Sequence, residues 1–113
     1  MLKITNPITG DELQVANQDF SYEMTWEEAK RACNELGSGW RLPNKQELKE
    51  IYEQLHEKGQ GNFRTAFYWS STEYDGDQLH KIGGYKRILD FDYGTASYDS
   101  KGGANYVRAV RVF

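Results

Sequence analysis

Two helix-start signals bracket a proline, and together they set the layout of the first half of the chain. Thr25 precedes Trp26 and is followed by Glu28, and Asn44 stands in the same relation to Glu47. In this arrangement the cap side chain accepts an orphan N–H of the first turn, while the carboxylate reaches back to the N–H of the cap. Behind the first cap, Trp26, Ala29, Cys33 and Leu36 recur at helical spacing, with Glu27, Lys30, Arg31 and Glu35 off that face and Gly37 as the stop. Behind the second, Leu48, Ile51, Tyr52 and Leu55 form an apolar stripe that runs up to Gly59. Pro43 pushes Leu42 out of the α region, so Gly39-Trp40-Arg41-Leu42-Pro43 is a sharp connection whose Trp40 and Leu42 are expected in the core.

On either side of the helices the pattern is that of strands. Leu2 to Thr5 and Glu12 to Ala16 flank the turn Asn6-Pro7-Ile8-Thr9-Gly10-Asp11 and read as a hairpin. After Gly61 the period shortens to about two. Phe67 to Thr72 is expected as a strand, Asp75-Gly76-Asp77 as a turn, and Arg87 to Tyr93 as a strand burying Leu89, Phe91 and Tyr93. Gly94-Thr95 reverses the chain into Ala96 to Tyr98, and Ser100 to Ala104 reads as a loop. In the closing stretch Asn105 to Phe113, Val107, Ala109 and Phe113 line one face and Tyr106, Val110 and Val112 the other, which is the signature of a central strand. Arg108 and Arg111 then lie on opposite faces of a mostly buried strand, and each requires a carboxylate or carbonyl partner because an unpaired buried guanidinium is too costly. The expected architecture is α+β: two helices on a small, mostly antiparallel twisted sheet, with long irregular loops in the second half. With no repeat, low-complexity run or linker, residues 1–113 read as one domain.

Composition narrows the function. A formal charge of −3 with both signs interspersed argues against nucleic acid, which requires a clustered basic face. No apolar run approaches the ~18 residues of a membrane span, so no membrane insertion is expected, and Met1 to Gly10 lacks a secretory-signal layout; the compartment stays open. Cys33 is the only cysteine, which excludes an internal disulfide and any site built on two cysteine ligands of this chain. Eight Tyr, five Phe and three Trp supply much of the 38% apolar content, so the core should be aromatic-rich and tyrosines remain for a binding surface.

Four motifs in order resemble one family: Thr25-Trp26-Glu27-Glu28-Ala29 with Cys33 and Leu36; Trp40-Arg41-Leu42-Pro43-Asn44 with Glu47-Leu48; Tyr68-Trp69-Ser70-Ser71-Thr72; and Tyr106-Val107-Arg108-Ala109-Val110-Arg111. Together they look like the Lcl C-terminal domain, a bacterial and phage-borne family largely of unknown function. The resemblance, from about Trp26 to Arg111, implies a C-type-lectin-like fold related to formylglycine-generating enzymes and to retroelement-diversified variable proteins. Such relatives are mostly adhesins, receptor-binding proteins and surface modules. The chain departs from the pattern in a short glycine-rich lead-in before Trp40 and a long connection from Leu79 to Arg87. By resemblance the four motifs build the scaffold, ligands are met between the Trp-Ser-Ser strand and the last strand, here Glu73 to Asn105, and no catalytic residue carries over.

The residues themselves agree. Trp40, Arg41, Leu42 and Pro43 read as packing, as do Trp26, Trp69, Arg108 and Arg111. Ser70 and Ser71 lack a Gly-x-Ser-x-Gly elbow and have no evident link to His56 or His80. Asp75, Asp77, Asp90, Asp92 and Asp99 could offer hard oxygen ligands, which makes calcium the one cofactor to consider, although solvated turn carboxylates explain the same residues and the Glu-Pro-Asn and Trp-Asn-Asp sugar-binding signatures are absent. One Cys and two distant His do not make a zinc site, and the lone Cys33 argues against paired-cysteine copper chemistry. The candidate contact residues are Tyr74, Asp75, Asp77, Tyr85, Tyr93, Tyr98 and Asp99, a tyrosine-rich mixture of the kind found in paratopes. The expected function is non-enzymatic recognition of a protein or carbohydrate ligand. The alternatives are a structural or interaction subunit of an envelope or phage assembly and, last, an enzyme related to the formylglycine-generating fold.

Overall fold

The computed structural model describes residues 1–74 and 84–113. In chain order its elements are β1 (Leu2–Thr5), β2 (Glu12–Val15), α1 (Trp26–Glu35), α2 (Lys45–Gln54), a single 3₁₀ turn (His56–Lys58), β3 (Phe67–Glu73), β4 (Tyr85–Asp90), β5 (Ala96–Ser100) and β6 (Val110–Val112). Both helices begin where the caps place them. Thr25 accepts from the Glu28 N–H and Asn44 from the Glu47 N–H, and each glutamate returns a bond to its cap N–H. The 3₁₀ turn after α2 ends at Gly59, whose left-handed φ of +72° closes it.

The strands divide between two three-stranded antiparallel sheets, β1-β2-β6 and β3-β4-β5. One core cluster lies between α2 and both sheets and contains Ile4, Leu13, Val15, Leu48, Ile51, Leu55, Tyr68, Leu89, Phe91 and Val110. The other lies under α1 and contains Trp26, Ala29, Cys33, Leu42, Trp69, Ile88, Val107 and Ala109. Val110 thus packs in the first and Val107 and Ala109 in the second, so the chain's last segment is shared by both cores.

That segment is central but not a continuous strand. Only Val110–Val112 ladders with β2, while Asn105 and Tyr106 make single bridges to Met24 and Tyr68 and Val110 makes one to Arg41. Its carbonyls also serve the loop after β2, Ala109 accepting from the Ala16 N–H and Val107 from the Phe20 N–H. A run that serves so many partners in turn cannot keep one register. Two expected burials fail there, because Val112 and Phe113 lie beyond the core at 70% and 58% exposure. Leu36 is likewise exposed, since it caps α1 rather than extending its buried face. Tyr93 is exposed because β4 ends at Asp90: the Asp90 side chain accepts the Asp92 N–H, its carbonyl accepts the Gly94 N–H, and the turn carries Tyr93 outward while Phe91 stays buried.

Both arginines find the partner expected of them, but only Arg108 is buried. Arg108 is buried, with Nε donating to Asp19 Oδ1 at 2.8 Å, Nη1 to the Ala16 carbonyl at 2.9 Å and Nη2 to the Gly61 carbonyl at 2.9 Å. Arg111 is only half-buried. It donates to the amide oxygen of Gln14 and lies over the half-buried Trp40 ring, 4.8 Å from its centroid, so water can replace what it loses.

Arg41 explains the Trp-Arg-Leu-Pro connection. Its guanidinium holds Glu47 through two parallel bonds of 2.8 and 2.9 Å, and Glu47 Oε1 also accepts the Asn44 N–H, so one carboxylate ties the connection to the start of α2. Burial alone would push the Glu47 carboxyl up, but the bonds from Arg41 and Asn44 outweigh it and hold it below its ordinary value. The Cys33 thiol has only burial acting on it and is pushed up to about 12.

Three outcomes follow. Arg108→Ala is expected to lose about 3–5 kcal/mol in urea melts by stranding buried Asp19, against about 1 kcal/mol for Arg111→Ala; equal losses would contradict the burial assignment. A carboxyl held low in the folded state stabilises it above the carboxylate range and ceases to do so as pH falls through that range. The deficit of Glu47→Gln in thermal melts at pH 7 should therefore shrink below about pH 4. Finally, Cys33 should resist alkylation at pH 8 in the folded protein and react at once in denaturant.

Candidate functional site

β3 and β4 are out of step at their centre. Trp69 pairs with Ile88 and Glu73 with Lys86, so β3 advances four residues while β4 advances two. The Ser70 hydroxyl fills the gap by donating to the Arg87 carbonyl at 2.8 Å and accepting the Thr72 N–H at 3.1 Å. Its carbonyl accepts the Trp26 indole N–H, and the Ser71 N–H donates to the Pro43 carbonyl. The Ser70 hydroxyl is thus occupied with backbone, Ser71 is tied through its N–H alone, and the Trp69 indole N–H donates to the Met24 carbonyl. His56 packs against the rings of Tyr52, Phe63 and Phe91.

Beyond the bulge, β3 delivers Tyr74 to the start of β4, where its N–H donates to the Tyr85 carbonyl. In the β4–β5 ladder Tyr85 opposes Ser100 and Arg87 opposes Tyr98, so strand alternation puts Tyr85, Arg87 and Tyr98 on one face. Tyr74 stacks on Tyr98 with centroids 3.9 Å apart and planes at 14°. Tyr85 meets Tyr98 edge-on at 5.9 Å, and the Arg87 guanidinium lies 4.7 Å from the Tyr74 ring centroid. Three of the four expected tyrosines therefore form one platform; Tyr93 lies apart, at the turn beyond the opposite end of β4.

The described aspartates, Asp90, Asp92 and Asp99, separate from it. Asp99 opposes Lys86 on the other face of the sheet and accepts from the Ser100 N–H and the Asn105 side-chain amide, bracing the final turn. On that face Lys86, Lys30 and Lys101 crowd the Trp26 ring at 4.3, 4.7 and 5.5 Å from its centroid and cover it. Asp90 and Asp92 belong to the turn that carries Tyr93. Asp75, Asp77 and His80 lie outside the described residues. Among the described residues, no three His, Cys, Asp or Glu side chains are grouped to hold a metal ion.

Arg87 also borders a cavity of about 290 Å³ between α2 and β4–β5, lined by Lys45, Gln46, Leu48 and Lys49 from the helix and by Ser70, Ile88, Leu89, Gly94 and Ala96. Lys45 and Lys49 were not foreseen as site residues; their only signal is a spacing of four residues beside the apolar stripe of α2. A larger groove of about 550 Å³ opens between the hairpin and α2. It contains none of the expected contact residues, and of its four lining carboxylate side chains, Asp11, Glu12, Glu47 and Glu50, Glu12 and Glu47 are paired with Lys3 and Arg41.

Comparison with known proteins agrees with this architecture. No curated protein matches the chain. Among solved structures, a chain of the complex between a mutant von Willebrand factor A1 domain and botrocetin aligns with a TM-score of 0.57 at 14% identity, over 93% of this chain and 92% of that one. The likeness is one of fold, and the fold is α+β of the C-type-lectin-like kind. The model of the Lcl C-terminal domain matches residues 9–111, and the chain belongs to that family.

Proposed function

We propose that this domain is a non-enzymatic recognition module that offers the Tyr74, Tyr85 and Tyr98 platform to a protein or carbohydrate partner. The observation that carries the reading is the stack of Tyr74 on Tyr98 with Arg87 against it, on a face of β4–β5 set by strand pairing. Tyrosine combines large contact area, a polar tip and few rotatable bonds, and a platform already assembled has little ordering left to do on binding. Tyr85 and Tyr98 sit on regular strands, and Tyr74 directly follows β3 with its N–H bonded to the Tyr85 carbonyl, which suits repeated use of one geometry.

The occupied Ser70 hydroxyl and the buried, protonated Cys33 thiol support a binding reading over a nucleophilic one. A fixed place in an envelope or phage assembly is the second reading, favoured by the exposure of Val112 and Phe113 beside the larger groove.

The test is a glycan and surface-protein binding screen of the folded domain, with and without calcium. Binding should disappear in the triple variant Tyr74→Ser, Tyr85→Ser, Tyr98→Ser while its far-ultraviolet circular dichroism is retained, and persist in Tyr93→Ser. Binding that survives the triple substitution would refute the assignment, and a domain that binds nothing but self-associates would favour the assembly reading.

A further inference from the structure

We propose that the cavity beside the tyrosines receives an acidic side chain from a segment of a partner protein. This rests on the recognition reading above and narrows it to a chemistry. At about 290 Å³ the cavity is at the lower limit of pockets that enclose a whole small molecule, and is sized for a side chain projecting from something larger. The apolar side chains of Leu48 and Leu89 line its floor, and the exposed Lys45 and Lys49 line its helix side.

These lysines are placed against their own helix. Lys45 is the first residue of α2, where a cation opposes the helix dipole, and Lys49 follows four residues later, where like charges repel. Among the described residues neither has an ion pair to relieve it. A local choice that disagrees with the element carrying it marks a position kept for another purpose. A carboxylate entering the cavity would meet both ammonium groups, and its aliphatic stem would lie on the apolar floor. A neutral sugar is a poorer occupant, because it needs acceptors as well as donors and, among the described residues, no carboxylate lines the cavity.

The experiment uses the whole chain and three labelled probes: a peptide of alternating Glu and Leu, its Gln and Leu counterpart, and dextran sulfate as an anionic polysaccharide. Fluorescence anisotropy should show binding of the Glu peptide alone, weakened by salt and about tenfold weaker in Lys45→Gln, Lys49→Gln. Amide shifts in nuclear magnetic resonance spectra should centre on Lys45, Lys49 and Ala96. Absence of Glu-peptide binding, equal binding of the Gln peptide, undiminished binding by the lysine variant, or binding of dextran sulfate alone would each overturn the proposal. The tyrosine triple variant separates the two readings. If it loses its screened partner while the lysine variant keeps it, the platform stands and the acidic occupant falls; if the triple variant keeps that partner, the recognition assignment itself fails.

Discussion

A guanidinium with no access to water is among the most expensive groups a domain of this size can enclose, and this one encloses Arg108 at its centre. Its charge is met by Asp19, which also accepts the Tyr68 hydroxyl at 2.6 Å. Nη1 and Nη2 each donate to a carbonyl, those of Ala16 and Gly61, and Cζ lies 4.0 Å from the centroid of the Phe63 ring. Four segments are therefore held at one point: the loop after β2, the turn after α2, the start of β3 and the closing segment. Desolvation, followed by the bond to Asp19, pushes the Tyr68 hydroxyl well above its ordinary value, so it remains a donor. With that point fixed, Val107 and Ala109 fall into one core and Val110 into the other.

How much of this could be read from residues depended on the range of each interaction. The helix caps are local, joining residues three apart, and they were legible in full. The burial of Arg108 was legible from cost alone, but Asp19, 89 positions away, was not, because nothing near it in the chain marks it. Alternation misled wherever it was carried past the end of a ladder: it kept Tyr93 and Phe113 inside, although β4 stops at Asp90 and the last segment leaves the core after Val110. Likewise the Trp-Ser-Ser run was recognisable as a pattern, while its physical basis, a hydroxyl filling the step between two mismatched strands, is a property of the paired strands and not of either one.

The same division holds at the candidate site. Tyr85 and Tyr98 belong to neighbouring strands and Tyr74 directly follows β3, so composition and turn spacing sufficed to gather them. Lys45 and Lys49 come from a helix whose sequence reads as scaffold, and only the packing of α2 on the sheet brings them to Arg87. The two sheets have correspondingly different surroundings. The face of β3-β4-β5 turned towards α1 packs Lys86 against Trp26, and its other face bears the tyrosines.

The first sheet has a mechanical consequence. β1 and β6 both pair antiparallel with β2, one on each side, and so run parallel to each other. Leu2 is level with Val15 and Val110, whereas Val112 is level with Leu13 and Ile4, which places the two chain ends at opposite ends of the sheet. A pull applied through those ends acts along the strands in opposite directions, loading the interstrand hydrogen bonds together rather than unzipping them one at a time. The tyrosine-bearing sheet lies outside that line of force, so a domain pulled through its ends would keep its tyrosines in place while β1, β2 and β6 carry the load.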